Sequence, residues 1–194
     1  MLAELLHDFH IILASGSPRR QQFFKDLQLD FTVDVSDVEE IYPNRLQREE
    51  ITDYLAKLKA DSFTSLKEKE LLITSDTIVW HQNKAVGKPK SLEEAKAMLR
   101  SFSGTSHEVI SSVCIRTLKN QRIINQVTQV TFKDLTEDEI DYYVTTYRPL
   151  DKAGAYGIQE WMGLIGIIKI KGNYYNVMGL PVQLLYETLT DMVR

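Results

Sequence analysis

The chain has 194 residues, of which 43% are hydrophobic and 26% charged, a balance typical of a soluble globular protein and not of a disordered one. A chain of this length buries roughly 70% of its unfolded surface, so it needs no disulfide or structural metal, and we expect one domain over residues 1–194. The net charge of −4 disfavours a general nucleic-acid binder but not an enzyme that binds one polyanion.

Two features of the sequence bear on its location. The single cysteine, Cys114, lies in a β-like apolar run, which predicts a buried, reduced thiol. The N-terminal residues carry acids and form no signal peptide, and the longest apolar run is too short to span a bilayer. We therefore expect a cytoplasmic protein with no membrane association.

Strands and helices alternate in the first part of the chain. The pattern predicts strands at residues 10–14 and 31–35, helices at 18–28 and 48–65, and strands at 71–74 and 78–80. Residues 75–77, with the sequence Ser-Asp-Thr, are predicted to separate the last two strands. An Asp in that place favours either a site at the carboxyl end of a strand or a plain Asx turn.

Longer antiparallel strands follow. The pattern predicts a capped helix at residues 91–101, a hairpin of strands at 107–118 and 121–133, a capped helix at 136–146, a Gly-rich stretch at 154–166, a strand at 167–170, and a last helix from residue 181. Early alternation followed by long antiparallel strands is typical of an α/β or α+β domain with a mixed sheet.

A tight turn with the sequence Ser-Gly-Ser-Pro-Arg-Arg at residues 15–20 joins the first strand to the first long helix. Arg19 and Arg20 oppose the helix dipole, which favours acids at this end. A bound phosphate resolves that conflict, because helix N-terminal amides and guanidinium groups both bind phosphate oxygens. Ser15 and Ser17 belong to the same turn. The alternative is a serine-capped helix with solvated arginines.

Four further segments carry candidate residues. Asp76 is a candidate metal ligand or base. Lys88, in Gly-Lys-Pro at 87–89, is held by a glycine turn and a proline and would neutralise charge on a leaving group, unless it is a simple exposed turn. Gln159 ends a loop at 151–159 that suits a planar base, although its Tyr156 would also serve as a packing anchor. Glu40 follows Glu39, a pair that either helps to hold Mg²⁺ or forms a solvated face.

Six motifs in register resemble the Maf family of nucleotide pyrophosphatases, the septum formation inhibitor-like proteins, over roughly residues 10–186. They are Ser-x-Ser-Pro-Arg-Arg, Ser-Asp-Thr, Gly-Lys-Pro, Phe-Ser-Gly-Thr-Ser-His, Ala-Gly-Ala-Tyr-Gly-Ile-Gln and Asn-Val-Met-Gly-Leu-Pro. The resemblance implies a Maf/Ham1-like fold, an elongated mixed sheet flanked by helices with a central cleft. It also implies hydrolysis of a nucleoside triphosphate to the monophosphate and pyrophosphate with Mg²⁺ or Mn²⁺, and a homodimer.

The resemblance also implies roles for single residues. Asp76 matches the general base, acting with the metal, and Glu40 matches an acid that helps to hold the metal. The phosphate-binding cations are matched by Arg19, Arg20, Lys59 and Lys88.

Arg19, Thr77 and Gln159 match the branch of the family that prefers dTTP and UTP, so we expect a dTTP/UTP pyrophosphatase. Two alternatives remain at this stage: the branch that hydrolyses 7-methyl-GTP, and a regulator of cell division that acts through a protein partner.

The sequence departs from the family pattern in three places. Thr74-Ser75 precedes the aspartate where Gly-Ala or Gly-Ser is usual, Phe23-Phe24 replaces a Leu-Leu pair, and Glu160-Trp161 follows the glutamine where a small residue is more common.

Overall fold

The fold is described from a computed structural model, which describes residues 1–193. Within those residues the helices are α1 (Leu2–Leu5), α2 (Pro18–Asp26), α3 (Glu49–Asp61), α4 (Leu92–Phe102), α5 (Glu137–Tyr147), α6 (Trp161–Gly166), α7 (Tyr174–Val177) and α8 (Val182–Val193), with a 3-10 turn at Ala153–Ala155. The strands are β1 (His10–Leu13), β2 (Phe31–Val33), β3 (Glu70–His81), β4 (Lys84–Val86), β5 (Ser106–Arg116), β6 (Gln121–Phe132) and β7 (Ile167–Lys171).

The strands form a mixed sheet. Over the described residues it has seven strands in the order β2-β1-β3-β5-β6-β7, with β4 paired to β3. β1 runs parallel to β2 and to β3, whereas β4 is antiparallel to β3 and β7 is antiparallel to β6. The predicted mixed α/β fold, a sheet flanked by helices, is therefore confirmed.

One predicted boundary is wrong. β3 runs without a break from Glu70 to His81, so Asp76 lies inside a strand and neither at a strand end nor in an Asx turn. Consecutive small polar residues are typical of a turn, but here several polar groups of residues 74–76 have tertiary partners. The hydroxyl of Thr74, for example, donates to the carbonyl oxygen of Ala56 at 2.6 Å.

The other long elements lie where the pattern predicts them, within a few residues. The hairpin strands, the capping box of Thr136 and Glu139, and the Ser91 cap of α4 are all present. The sequence pattern missed four short elements, α1, β4, α6 and α7, since segments of three to six residues are too short for a periodic pattern.

The chain folds as two compact units. The first unit comprises residues 1–76, 111–126 and 179–193. Part of its core forms where α3 packs on β1, β3 and β5, through the buried residues Ile12, Ala56, Ala60, Leu72 and Cys114. Alanine at two successive turns of α3 lets the helix approach the sheet closely, which matters because α3 also carries Lys59.

The second unit comprises residues 77–110 and 127–178. Its core joins α4 and α5 to the sheet, with Leu99, Phe102, Phe132 and Tyr143 almost fully buried. Aromatic rings dominate this core: the centroids of Phe132 and Tyr156 lie 5.1 Å apart in an edge-to-face arrangement. These rings support the loop that carries Gln159.

The predicted buried thiol is confirmed. Cys114 is fully buried on β5, and burial raises the pKa of its thiol to about 11, so it stays protonated and unreactive at neutral pH.

Within residues 1–193, no helix has both the length and the apolar character that crossing a bilayer requires.

Candidate functional site

The turn between β1 and α2 lies beside the middle of β3. β1 and β3 are parallel with Leu13 opposite Ile73, and the amide of Ala14 donates to the Ile73 carbonyl at 2.9 Å. β1 then ends while β3 continues, so the turn at residues 15–17 begins next to Ser75 and Asp76. Parallel pairing therefore brings two motifs together that are sixty residues apart in sequence.

The serines of this turn shape its backbone. Ser17 is the N-cap of α2 and its hydroxyl accepts from the Arg20 amide at 3.5 Å. The Ser15 hydroxyl accepts from the Ser17 amide at 3.3 Å, and Gln21 donates from its side chain to the Ser15 carbonyl at 3.2 Å. The serine-capped helix expected as the alternative is present, and its capping is compatible with a ligand at the same helix N-terminus.

Arg20 is tied into the protein and is not a solvated arginine. Its Nε donates to the Gly179 carbonyl at 2.8 Å, and its Nη1 donates to the Ser75 carbonyl at 3.1 Å and to the Ser15 hydroxyl at 3.4 Å. Burial lowers the pKa of the Arg20 guanidinium, the carboxylate of Asp76 opposes that shift, and Arg19 adds to it. Two neighbouring guanidinium groups in this partly dehydrated place favour an anion.

Arg20 and Arg19 are expected to differ in their effect on stability. Replacing Arg20 with lysine removes the guanidinium N–H groups that donate to the carbonyls of Gly179 and Ser75. We therefore expect the free energy of unfolding to fall by about 1–3 kcal/mol. Arg19 is half-exposed, and we expect Arg19→Lys to change the free energy of unfolding by less than about 0.5 kcal/mol. Urea unfolding of both variants measures the difference, and equal losses would contradict the anchoring role of Arg20.

The side-chain nitrogen of Lys59 contacts the carboxylates of both Asp76 and Glu40. The Lys59 ammonium lies 2.7 Å from Oδ1 of Asp76 and 2.8 Å from Oε1 of Glu40. The side chain of Asp76 is 8% exposed and that of Lys59 17%, whereas that of Glu40 is 56% exposed. Strand β3 presents Asp76, helix α3 presents Lys59, and the segment after β2 presents Glu40.

α3 is fixed to β3 one turn before Lys59. The Thr74 hydroxyl donates to the Ala56 carbonyl, and two residues further along β3 the carboxylate of Asp76 meets Lys59, three residues after Ala56. Residues i and i+2 of a strand share a face, as do residues i and i+3 of a helix, so the two contacts run side by side. Thr74, a departure from the family pattern, thus has a defined structural role.

The second unit carries Thr77, Lys88 and Gln159. Thr77 is half-buried on β3, directly after Asp76 in the sequence, and Lys88 and Gln159 are exposed. The amide of Gly154 donates to the carbonyl of Gly87 at 3.0 Å, so a backbone hydrogen bond joins the loop of Lys88 to the loop that leads to Gln159.

Two glycines of the motifs, Gly16 and Gly87, occupy positions that do not require glycine. Neither Gly16 nor Gly87 has a positive φ, and a Cβ atom at either one would meet no protein atom within 4 Å. Gly87 is therefore not needed for its turn, contrary to the sequence interpretation. Packing within the protein therefore does not account for either glycine.

Sequence reasoning missed the carbonyl groups that hold Arg20, because backbone acceptors carry no residue signal. One signal for such an acceptor is the glycine of the motif Asn-Val-Met-Gly-Leu-Pro. Gly179 has φ 111°, a conformation that favours glycine, and its carbonyl accepts from Arg20.

Comparisons with known proteins agree on the family. The family model described as "Maf-like protein" matches residues 10–192. Similar curated proteins include the dTTP/UTP pyrophosphatases of Flavobacterium johnsoniae, 59% identical over the whole of both chains, and of Christiangramia forsetii, 55% identical over the whole of both chains. That of Bacteroides fragilis is 50% identical, covering 99% of this chain and 100% of the relative.

A solved structure, that of the Staphylococcus aureus Ham1 protein, is similar in fold. It is 16% identical, with a TM-score of 0.53, and the match covers 94% of this chain and 99% of that one. At that identity the likeness concerns the fold alone and confirms the expected Ham1-like architecture. Because the family model matches residues 10–192, nearly the whole chain, the chain belongs to the Maf family.

Proposed function

We propose that this protein is a nucleoside triphosphate pyrophosphatase that hydrolyses dTTP and UTP to the monophosphate and pyrophosphate. The observation that carries the proposal is the convergence, in the first unit, of the Asp76–Lys59–Glu40 cluster with the arginine-bearing turn. An acid–base group and several cations suit hydrolysis of a polyphosphate. Relatives that are 50–59% identical over almost their whole length are named dTTP/UTP pyrophosphatase.

The reaction joins a water oxygen to the α-phosphorus and breaks the bond to the oxygen that bridges the α- and β-phosphates. In our proposal the Asp76 carboxylate accepts the proton of that water. Arg19, Arg20, Lys59 and Lys88 bind phosphate oxygens and stabilise the negative charge on the departing pyrophosphate. Ser15 and Ser17 shape the turn whose amides face the phosphates.

The residues present fit a divalent cation. One ammonium already contacts both carboxylates, so Asp76 and Glu40 provide hard oxygen atoms around a position that a positive charge favours. Among residues 1–193 no group of three or more His, Cys, Asp or Glu is arranged to hold a metal. Two carboxylates plus substrate oxygens are a usual ligand set for Mg²⁺ in phosphate chemistry. Bound there, Mg²⁺ or Mn²⁺ would supply charge stabilisation at the phosphates.

We propose that Gln159 contributes to the selection of the base. Gln159 is exposed at the end of its loop, and its amide offers one donor and one acceptor, as recognition of a thymine or uracil edge requires. Thr77 and Arg19 complete the pyrimidine-branch pattern. The two alternatives, a 7-methyl-GTP pyrophosphatase and a regulator of cell division acting through a protein partner, are not favoured, because the relatives carry the dTTP/UTP name.

A panel of substrates tests the proposal. Turnover of dTTP, UTP, dCTP, dATP, dGTP and 7-methyl-GTP is measured with Mg²⁺ and with Mn²⁺, and both products are identified. We expect kcat/KM for dTTP and UTP to exceed the others by at least about tenfold, because the polar edge of a wrong base leaves groups unpaired. Preference for 7-methyl-GTP would contradict the base assignment. Release of orthophosphate instead of pyrophosphate would contradict the bond cleaved.

We further propose a cytoplasmic location, supported by the single, buried thiol, and a homodimer, which the family resemblance implies. We also propose that the protein has no nucleic-acid or membrane partner. Size-exclusion chromatography with light scattering measures the oligomeric state directly.

A further inference from the structure

The loop that leads to Gln159 is anchored in the second unit by a buried lysine that is paired with two less buried carboxylates. Lys152 is 8% exposed, although lysine is rarely buried, and its ammonium lies 3.1 Å from Oε1 of Glu160. The same ammonium lies 2.7 Å from the carboxylate of Asp151, whose side chain is 65% exposed. A buried ammonium persists only where carboxylates pair with it, so Glu160 is needed for this arrangement.

Tyr143 holds the other side of Glu160. Tyr143 is fully buried on α5, and its hydroxyl donates to Oε2 of Glu160. Burial raises the pKa of this phenol, and its hydrogen bond with Glu160 raises it further, so the hydroxyl remains a donor. The two oxygens of one carboxylate are therefore each held by a different buried partner.

The same tyrosine also holds the backbone of the loop. The amide of Gly157 donates to the Tyr143 hydroxyl at 3.1 Å, and the amide of Glu160 donates to the Gly157 carbonyl at 3.1 Å. A Cβ atom on Gly157 would lie 2.8 Å from the carboxyl carbon of Glu160, so the carboxylate packs directly on the glycine. Gln159 lies inside the turn that these contacts close.

A second anchor fixes the start of the loop. Gly154 has φ 71°, and a Cβ atom there would lie 2.9 Å from Cγ2 of Val79, so the backbone is pressed against the core. Its amide donates to the Gly87 carbonyl, in the loop of Lys88. The loop is thus fixed at both ends, and the Glu160 anchor is the one adjacent to Gln159.

We propose that Glu160, clamped between Lys152 and Tyr143, is a positioning residue that holds Gln159 in one orientation and so sets the discrimination between pyrimidine bases. The proposal rests on the proposed function, because it assumes that Gln159 contacts the base. Where the family pattern has a small residue, this chain has a carboxylate whose two oxygens fix the end of the loop. Fixing an amide that both donates and accepts decides which base edge it matches.

The test compares dTTP with 5-methyl-dCTP, whose phosphates, sugar and 5-methyl group are identical and whose bases differ only at the polar edge. Changes at the phosphates cancel in the ratio of the two kcat/KM values, so this ratio isolates contacts to the base. For Glu160→Gln we expect the ratio to fall by about tenfold and kcat/KM for dTTP to fall by about 10- to 100-fold, mainly through KM. The matched control is Glu137→Gln, because Glu137 lies on the same helix as Tyr143 and forms only an exposed ion pair, with Arg100 of α4. This variant should leave the ratio and kcat/KM for dTTP unchanged.

A double variant separates positioning from general destabilisation. Because Glu160 acts through Gln159, adding Glu160→Gln to Gln159→Ala should leave the ratio where Gln159→Ala alone places it. A further drop in the double variant, or an equal loss of kcat/KM for both substrates in Glu160→Gln, would overturn the proposal. If Glu160→Gln fails to fold, Tyr143→Phe tests the same anchor while keeping the ion pair.

Hydrogen exchange gives a readout that does not depend on turnover. The amides of residues 157–160 should exchange faster in Glu160→Gln and Tyr143→Phe than in the wild type and in Glu137→Gln, and unchanged exchange would overturn the anchoring. A wild-type enzyme without any base preference would instead refute the proposed function itself, and with it the role in base discrimination. The two failures are therefore distinguishable.

Discussion

Asp76→Asn is expected to lower the turnover of dTTP by about 10²- to 10⁴-fold, the usual contribution of a general base. The asparagine oxygen still accepts from Lys59, so the 2.7 Å contact and the position of α3 survive. What the variant loses is a group that takes a proton from water and a negative charge beside Arg20. We therefore expect a loss in kcat with little change in secondary structure.

The matched control is Asp53→Asn, on the same helix as Lys59. The Asp53 carboxylate accepts from Ser112 at 2.7 Å and from Asn125 at 3.0 Å, and it has no assigned role in the reaction. Pyrophosphate release and circular dichroism of the two variants give the comparison. Near-normal turnover of Asp76→Asn would assign the base to another residue, and a comparable loss in Asp53→Asn would point to a general effect of polar substitutions in this unit.

The second large effect concerns acid stability and centres on His107. It is 2% exposed, its Nε2 lies 2.7 Å from the Tyr156 hydroxyl, and its ring packs on Phe102 at 4.4 Å between centroids. Burial, with a smaller contribution from the nearby His81, lowers the pKa of His107 to about 3. The folded protein thus keeps this histidine neutral at a pH where the unfolded chain protonates it.

The sign follows from proton linkage. Between pH 6.5 and about 3 the unfolded state binds more protons, so the contribution of His107 to stability is present above pH 6.5 and is lost as the pH falls through this window. At about 1.4 kcal/mol per pH unit, the loss reaches about 2 kcal/mol at pH 5.

Urea unfolding between pH 5 and 7.5 measures this contribution, in a range where the carboxylates remain ionised. His107→Gln is less stable throughout but should lose the steep part of the pH dependence. His7→Gln, at an exposed position, is the control and should keep the wild-type slope. An identical slope in His107→Gln would assign the acid sensitivity to other groups.

Local chemistry made several elements predictable from the sequence. Ser17 caps α2 and Thr136 caps α5 through contacts within a few residues, and β5 and β6 are joined by a short turn. Interactions of this range depend on neighbouring residues, so a pattern in the chain reports them. The order of the six motifs, and with it the family, was also evident from the sequence.

The middle of β3 was not predictable in this way. Read alone, Thr74 ends a strand and Ser75 and Asp76 begin a turn, because their polar groups have no partner within the segment. Their partners come from elsewhere: Ala56 and Lys59 on α3, and Arg20 on α2. Strand geometry at this point therefore depends on helices that the local sequence does not contain.

The sequence by itself thus determined which residues are available for the chemistry: the arginine pair, Asp76, Lys59, Lys88 and Gln159. The tertiary structure decided what each one touches. It brought Glu40 and Asp76 to the same ammonium, turned Arg20 into an anchor of the backbone, and placed Glu160 between two buried partners. The reason is physical: electrostatic and hydrogen-bonding contacts act over a few ångströms in space, and only the packed fold brings residues so distant in sequence within that range.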